Sequence, residues 1–242
     1  FKHGCKPEEG QSSKAEGSKS GAGRGVKSGP SSKSSTKSIL KSSLWKKLSS
    51  NGLIPEKRAF HCAVLRGKSS RLNDKACNNS ILLFGGSNGS TIFSDVWIFE
   101  QNQWRGPISV NNSIEPVMSH SMLYCEAMDA CVVFGGETRN GKSNTINILY
   151  CGDQWRWDTI TPDQTKNNGS TNRIAQPNII TPRSSHCAQL WNDEEMIVFG
   201  GDVHDERQTN ETWKFSLRDQ SWRKLTPKGD VPSPRSCSNS VI

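Results

Sequence analysis

The sequence predicts an all-β chain built from repeated four-stranded antiparallel sheets, and three observations carry that prediction. A short apolar run ending in a glycine pair occurs three times, as Ile81-Leu82-Leu83-Phe84-Gly85-Gly86, Ala130-Cys131-Val132-Val133-Phe134-Gly135-Gly136 and Met196-Ile197-Val198-Phe199-Gly200-Gly201. Such a run reads as a buried strand entering a turn. A histidine precedes each pair: His61 after Arg58-Ala59-Phe60, His120 after Met118-Ser119, and His186 after Arg183-Ser184-Ser185. An aromatic residue and then a tryptophan follow each pair. Gly135, Tyr150 and Trp157 are spaced as Gly200, Phe215 and Trp222 are, while Gly85, Phe99 and Trp104 form a copy three residues shorter. Self-similarity at a period of roughly 50 residues marks a repeat architecture.

Within the third copy the strands are expected at 186–190, 195–199, 212–217 and 221–225. Turn residues separate them: Asn192-Asp193, Gly200-Gly201-Asp202 and Arg218-Asp219-Gln220. Asparagine, aspartate and glycine tolerate the left-handed conformations that tight turns need. Four antiparallel strands per unit, stacked radially, make the blade of a β-propeller. The glycine pairs allow a sharp turn and close backbone approach. The tryptophans Trp45, Trp104, Trp157 and Trp222 supply large apolar faces to fill the space between blades. Gly85, Gly86, Gly135, Gly136, Gly200 and Gly201 are accordingly read as structural.

At these residues the sequence resembles the kelch-repeat family. The resemblance covers residues 44–242, with repeats at about 58–104, 117–157 and 183–222 and the start of another at 232–242. Leu44-Trp45-Lys46-Lys47-Leu48 resembles Trp222-Arg223-Lys224-Leu225, so Trp45 is expected to end a blade. Pro234-Arg235-Ser236-Cys237-Ser238 is expected to begin one. The fold expected is thus a kelch-type β-propeller with about three complete blades and partial blades at both ends. Propellers close with roughly four to eight blades, so the sequence is expected to belong to a longer protein with a ring of about six. Taken alone, it is expected to expose sheet edges.

Residues 1–43 are rich in serine, lysine and glycine and nearly lack apolar side chains. They hold nine lysines and arginines against three glutamates, a net +6 that leaves only +2 for the rest of the chain. Such a composition cannot bury enough apolar surface to offset ordering entropy, so a disordered tail is expected. Its lysines are spaced by serine without aromatic interleaving, so neither specific nucleic-acid binding nor a membrane role is expected.

Of the eight cysteines, Cys5, Cys62, Cys77, Cys125, Cys131, Cys151, Cys187 and Cys237, no two have zinc-site spacing. Cys125 and Cys131 are read as possible neighbours across a hairpin. Free thiols point to a cytoplasmic, alternatively nuclear, protein. Sequons at Asn78, Asn88, Asn111, Asn168 and Asn210 add little in a chain this rich in asparagine and serine. No cofactor or metal is expected. A nucleophile needs a partnered base, and none is evident. Copper-dependent propeller oxidases use a tyrosine-bearing site, and the two tyrosines here are Tyr124 and Tyr150. A propeller enzyme is therefore the weakest reading.

Function is expected in the loops that a rigid scaffold presents. The connections between second and third strands, and those from one blade to the next, leave on the same face. The former hold Asn88, then Arg139 and Lys142, then His204 and Arg207; the latter hold Lys57, Arg58 and the insertion 163–181. The kelch resemblance implies a protein–protein interaction scaffold that binds a protein or peptide. Arg139, Lys142 and Arg207 are the side chains expected to pair with a partner's carboxylates. The Trp-x-x-Leu ending followed by Pro and Arg-x-x-His is similar to F-box-associated and Rab-effector-like kelch proteins. The resemblance thus implies, as the alternative, a substrate-recognition subunit of a ubiquitin-ligase complex.

Overall fold

Successive side chains of a strand point to opposite faces, so an unbroken apolar run can bury both. Along β6 (Ala130–Phe134) every side chain is buried, because blades pack on both sides of it. The computed structural model describes residues 47–48, 52–67, 79–161 and 179–239. In the first blade β1 (Cys62–Arg66), β2 (Ser80–Phe84), β3 (Val96–Glu100) and β4 (Gln103–Arg105) pair in that order, all antiparallel. The second blade runs β5 (Ser121–Cys125), β6, β9 (Ile146–Tyr150) and β10 (Arg156–Ile160). A two-residue hairpin, β7 (Glu137–Thr138) and β8 (Gly141–Lys142), tops its middle loop. The third blade is β11 (Cys187–Asn192), β12 (Glu195–Phe199), β13 (Thr212–Ser216) and β14 (Ser221–Leu225). These are the kelch-type propeller blades that the repeats predict, and the third blade's strands fall within two residues of the expected spans.

The core lies between blades rather than within them. Phe84 at the end of β2 meets Trp157 and His120 of the second blade, ring centroids 4.9 and 5.3 Å apart. Phe134 at the end of β6 meets Trp222 and His186 of the third blade, both at 4.9 Å. The same trio thus recurs one blade on, which is why phenylalanine, histidine and tryptophan recur in the sequence. Each fully buried phenylalanine contributes roughly 1.5–3 kcal/mol through burial. Trp104, with no preceding blade among the described residues, stays half-buried against Phe99 at 5.1 Å. Phe199, the counterpart of Phe84 and Phe134, is likewise only half-buried.

Gly135 and Gly136 show why the pair is required. Both have positive φ, 62° and 94°. A Cβ on Gly135 would lie 2.7 Å from the Arg183 carbonyl and 2.9 Å from the His186 ring; one on Gly136 would lie 2.7 Å from the Met118 carbonyl. The first glycine therefore admits the next blade and the second admits its own blade's entry strand. Gly136 N–H then donates to the Arg183 carbonyl at 2.9 Å, tying the two blades. Replacing Gly135 with alanine should lower the unfolding free energy by roughly 1–3 kcal/mol in urea titration. Gly141→Ala meets open space, so its cost should be that of the backbone strain at φ 113° alone.

A second line of ties runs along the inner strands. Phe60, Ser119, Ser185 and Cys237 all have positive φ, between 53° and 59°. Ser119 N–H donates to the Phe60 carbonyl, Ser185 N–H to Ser119, and Cys237 N–H to Ser185, at 2.8–2.9 Å. Cys237 continues the series because the segment 235–238 docks where the entry strands of the other blades begin, with Gly201 N–H on the Arg235 carbonyl at 2.9 Å. Trp45 lies outside the described residues, as do Cys5, Cys77, the tail 1–43 and most of the insertion. Cys125 and Cys131 do not face each other: the turn Glu126–Met128 sets Cys125 opposite Ala130 and Cys131 opposite Tyr124.

Candidate functional site

The loops between second and third strands and the blade-to-blade connections are joined by side-chain hydrogen bonds, so they share one face. Asn88 Nδ2 donates to Glu56 Oε1 at 2.6 Å, and Asn140 Nδ2 donates to Glu115 Oε1 at 2.7 Å. Gln208 Nε2 donates to Ser236 Oγ at 3.0 Å in the third blade. On this face Arg139 sits exposed at the tip of the β7–β8 hairpin and Lys142 half-buried on β8. His204 and Arg207 are exposed on a 3-10 turn, closed by Arg207 N–H donating to the His204 carbonyl at 3.1 Å. Lys57 is exposed on the connection into the first blade. Among the described residues Arg139, Lys142 and Arg207 form no ion pair within the chain.

Two of the expected binding residues are instead committed to the fold. Asn88 closes its own loop: Oδ1 accepts from the N–H groups of Ser90 and Thr91 while Nδ2 holds Glu56. Arg58 is an internal clamp, its side chain 3% exposed. It grips Asp95 with two bonds of 2.5 and 2.9 Å, donates to the Gly85 carbonyl, and lies 4.0 Å over the Phe93 ring. Asp95 in turn accepts from Trp97 Nε1 at 2.6 Å. Burial alone would raise the Asp95 carboxyl, but hydrogen bonds from Arg58 and Trp97 hold it below its ordinary value. A guanidinium so engaged is not offered to a partner.

The third blade repeats the clamp. Arg183 donates to Glu211 at 2.9 Å and to the Gly200 carbonyl at 3.0 Å, and Trp213 Nε1 donates to Glu211 at 3.0 Å. The sequence signal for it is an acid two residues before a tryptophan, in Asp95-Val96-Trp97 and Glu211-Thr212-Trp213. The expectations above used only the tryptophan of the last strand and so missed this pair. In the second blade the clamp is replaced throughout: Val117 stands for the arginine, Thr145 for the acid and Asn147 for the tryptophan.

The inner strands β1, β5 and β11 line an open channel of about 540 Å³. His120 and His186 are buried beside it. Burial pushes both imidazoles down to about 3, with His61 adding to the effect on His120, and Arg183 and His120 adding to that on His186. His186 Nε2 lies 2.9 Å from Ser121 Oγ, a serine–histidine contact that sequence spacing did not reveal. Among the described residues His186 Nδ1 has no hydrogen-bond partner. An imidazole so weakly basic, and without a third group to orient it, is poorly suited to activate a hydroxyl at neutral pH. Cys62 donates to the His120 carbonyl at 2.9 Å, and burial pushes its thiol up to about 11, far from a reactive thiolate. Among the described residues no three His, Cys, Asp or Glu side chains gather as a metal site requires.

Repeated blades tied through glycine pairs, with the middle loops and the blade-to-blade connections on one face, define a β-propeller. A family model described as the KLHDC2/KLHL20/DRC7 kelch-repeats domain matches residues 74–242, and the chain belongs to this kelch-repeat family. The chain is 32% identical over 106 residues to human Kelch domain-containing protein 3, covering 43% of this chain and 26% of that protein. It is 26% identical over 190 residues to the Drosophila melanogaster Leucine-zipper-like transcriptional regulator 1 homolog, covering 76% and 18%. A Chlamydomonas reinhardtii flagellar outer arm dynein alpha chain is 30% identical over 133 residues, covering 54% and 3%. The chain thus spans about a quarter or less of these relatives' lengths. The solved structure of YjhT shares the fold, with a TM-score of 0.50, 13% identity and coverage of 74% of this chain and 54% of that one. Kelch propellers generally serve as protein-interaction modules, and the family is typically non-enzymatic.

Proposed function

We propose that this chain recognises an acidic or unstructured segment of a partner protein on its loop face. One observation carries the reading. Arg139, Lys142 and Arg207 stand on loops of that face and form no ion pair among the described residues, whereas Arg58 and Arg183 are each locked to an acid. Loops held on a rigid scaffold lose little backbone freedom when their cations pair with a carboxylate, which supports binding through charge-assisted hydrogen bonds. Lys57 and His204 border the same surface and contribute as it is approached. The free, buried thiols of Cys125, Cys131 and Cys151 support a reducing compartment, the cytoplasm or nucleus. Membership of the kelch family favours a second reading, in which this face selects substrates for a ubiquitin ligase.

Fluorescence anisotropy with a labelled glutamate-rich peptide tests the first reading. Binding should weaken with salt, and R139E/K142E/R207E should lower affinity by about tenfold or more while leaving the fold intact. Unchanged binding by the folded triple variant would remove these three residues from the interface. Co-purification of a ligase scaffold with the full-length protein would favour the second reading.

A further inference from the structure

The second blade holds a cavity where the other two blades hold an arginine clamp. It measures about 260 Å³ and is lined by Val117, Gly135, Thr145, Asn147, Thr159 and Glu115, among others. Each of these has a counterpart around the internal arginines. Val117 replaces Arg58 and Arg183; Thr145 replaces Asp95 and Glu211; Asn147 replaces Trp97 and Trp213. Gly135 matches Gly85 and Gly200, whose carbonyls accept from the arginine Nη1 atoms at 3.1 and 3.0 Å. Glu115 matches Glu56 and Thr181, whose carbonyls accept from the arginine Nε atoms at 3.0 and 3.1 Å. Even the carboxylate of Glu115 is held as that of Glu56 is, by an asparagine of the adjoining loop.

The backbone acceptors that grip a guanidinium in two blades are therefore repeated in the third instance, while the guanidinium and the indole beside it are gone. Removal of those two large groups leaves the space. Hydroxyl and amide groups of Thr145, Asn147 and Thr159 line it, and Glu115 is the one charged side chain among the residues that do. Thr159 Oγ1 donates to Asn147 Oδ1 at 2.8 Å, which fixes the outer wall. Such a lining suits a cation rich in planar donors and disfavours an anion.

The structure assigns this cavity as a docking pocket for an arginine side chain supplied by a partner protein, in place of the one the second blade lacks. The assignment rests on the reading of the chain as a protein-binding module and adds the chemistry of one anchor residue. A partner carrying an arginine next to acidic residues would satisfy both the pocket and the loop cations. The internal clamps serve as the template: Arg58 and Arg183 show which backbone atoms a guanidinium meets at this position of the blade.

The test titrates the 242-residue chain with N-acetyl-arginine amide and follows amide NMR shifts at Thr145, Asn147 and Thr159. N-acetyl-citrulline amide, the neutral isostere, is the control. Saturable shifts with arginine are expected, with citrulline binding about tenfold or more weakly. V117R/T145D rebuilds the clamp of the first blade inside the pocket and should abolish the response with the circular dichroism spectrum unchanged. N147W, which restores the indole of the other blades, provides a second blocked variant should the first fail to fold. Equal response to citrulline, no saturable shift at these residues, or undiminished binding by a folded blocked variant would overturn the assignment. The probe carries no acidic group, so these outcomes are independent of whether the loop cations bind acidic peptides.

Discussion

Arg183→Ala is expected to lower the unfolding free energy by about 2–4 kcal/mol, through the cavity it opens and the backbone carbonyls it leaves without a donor. The Arg183 side chain is 0% exposed. It ties the Thr181 and Gly200 carbonyls to Glu211 across two strand connections. Its removal leaves the Gly200 carbonyl without that donor and opens a cavity beside Trp213. Glu211 keeps Lys224 and Trp213 as partners, so the loss falls mainly on the arginine side. Burial alone would raise the Glu211 carboxyl, but hydrogen bonds from Lys224, Trp213 and Arg183 hold it at about 2.

The second blade supplies the control for this experiment. It carries Val117 and Thr145 where the third carries Arg183 and Glu211, and β5, β6, β9 and β10 still pair in full register. R183V/E211T should therefore cost less than the sum of the two single changes, with a coupling of roughly 0.5–3 kcal/mol in a urea-denaturation cycle. Strict additivity would show that the two side chains stabilise the blade independently and that the clamp is not a unit.

What could be read from the sequence was whatever the chain repeats locally. Met196–Gly201 announced β12 and its turn because an apolar run and a glycine pair are contiguous. Trp222 announced β14 because its distance from Gly200 matched that of Trp157 from Gly135. Contacts between distant positions stayed hidden. Arg58 reads as a loop cation because its acid, Asp95, lies 37 residues on and comes beside it only once the entry segment and the strands of the blade have docked. Ser121 and His186 are 65 residues apart and meet across two blades. Cys125 and Cys131 were misjudged because one residue of register moves a side chain to the opposite face, and the left-handed Asp129 sets that register. The cavity of the second blade was invisible for a further reason. It is a difference between repeats, legible only once the clamp it departs from is seen.

Acidification from pH 7.5 to pH 5 should cost the fold up to about 2 kcal/mol for each of His120 and His186. Their unfolded imidazoles titrate near 6.5, whereas burial pushes the folded ones to about 3. The folded state thus binds fewer protons, so stability is complete above about 6.5 and is lost progressively as pH falls towards about 3. His61 shifts in the same direction, through burial and then Arg58, and adds a smaller share. Asp95 and Glu211, held below their ordinary values, begin to contribute only under the usual carboxylate range. The window between pH 5 and 6.5 therefore belongs to the histidines. Urea denaturation at pH 7.5, 6 and 5 measures the slope. His120 stacks edge-on against Phe84 and its ring nitrogens have no partner among the described residues, so His120→Phe should retain the packing and remove roughly half of the slope. His186→Phe also leaves Ser121 without its imidazole, yet it should remove most of the other half. An unchanged slope in the double variant would place the acid sensitivity in groups other than these two rings.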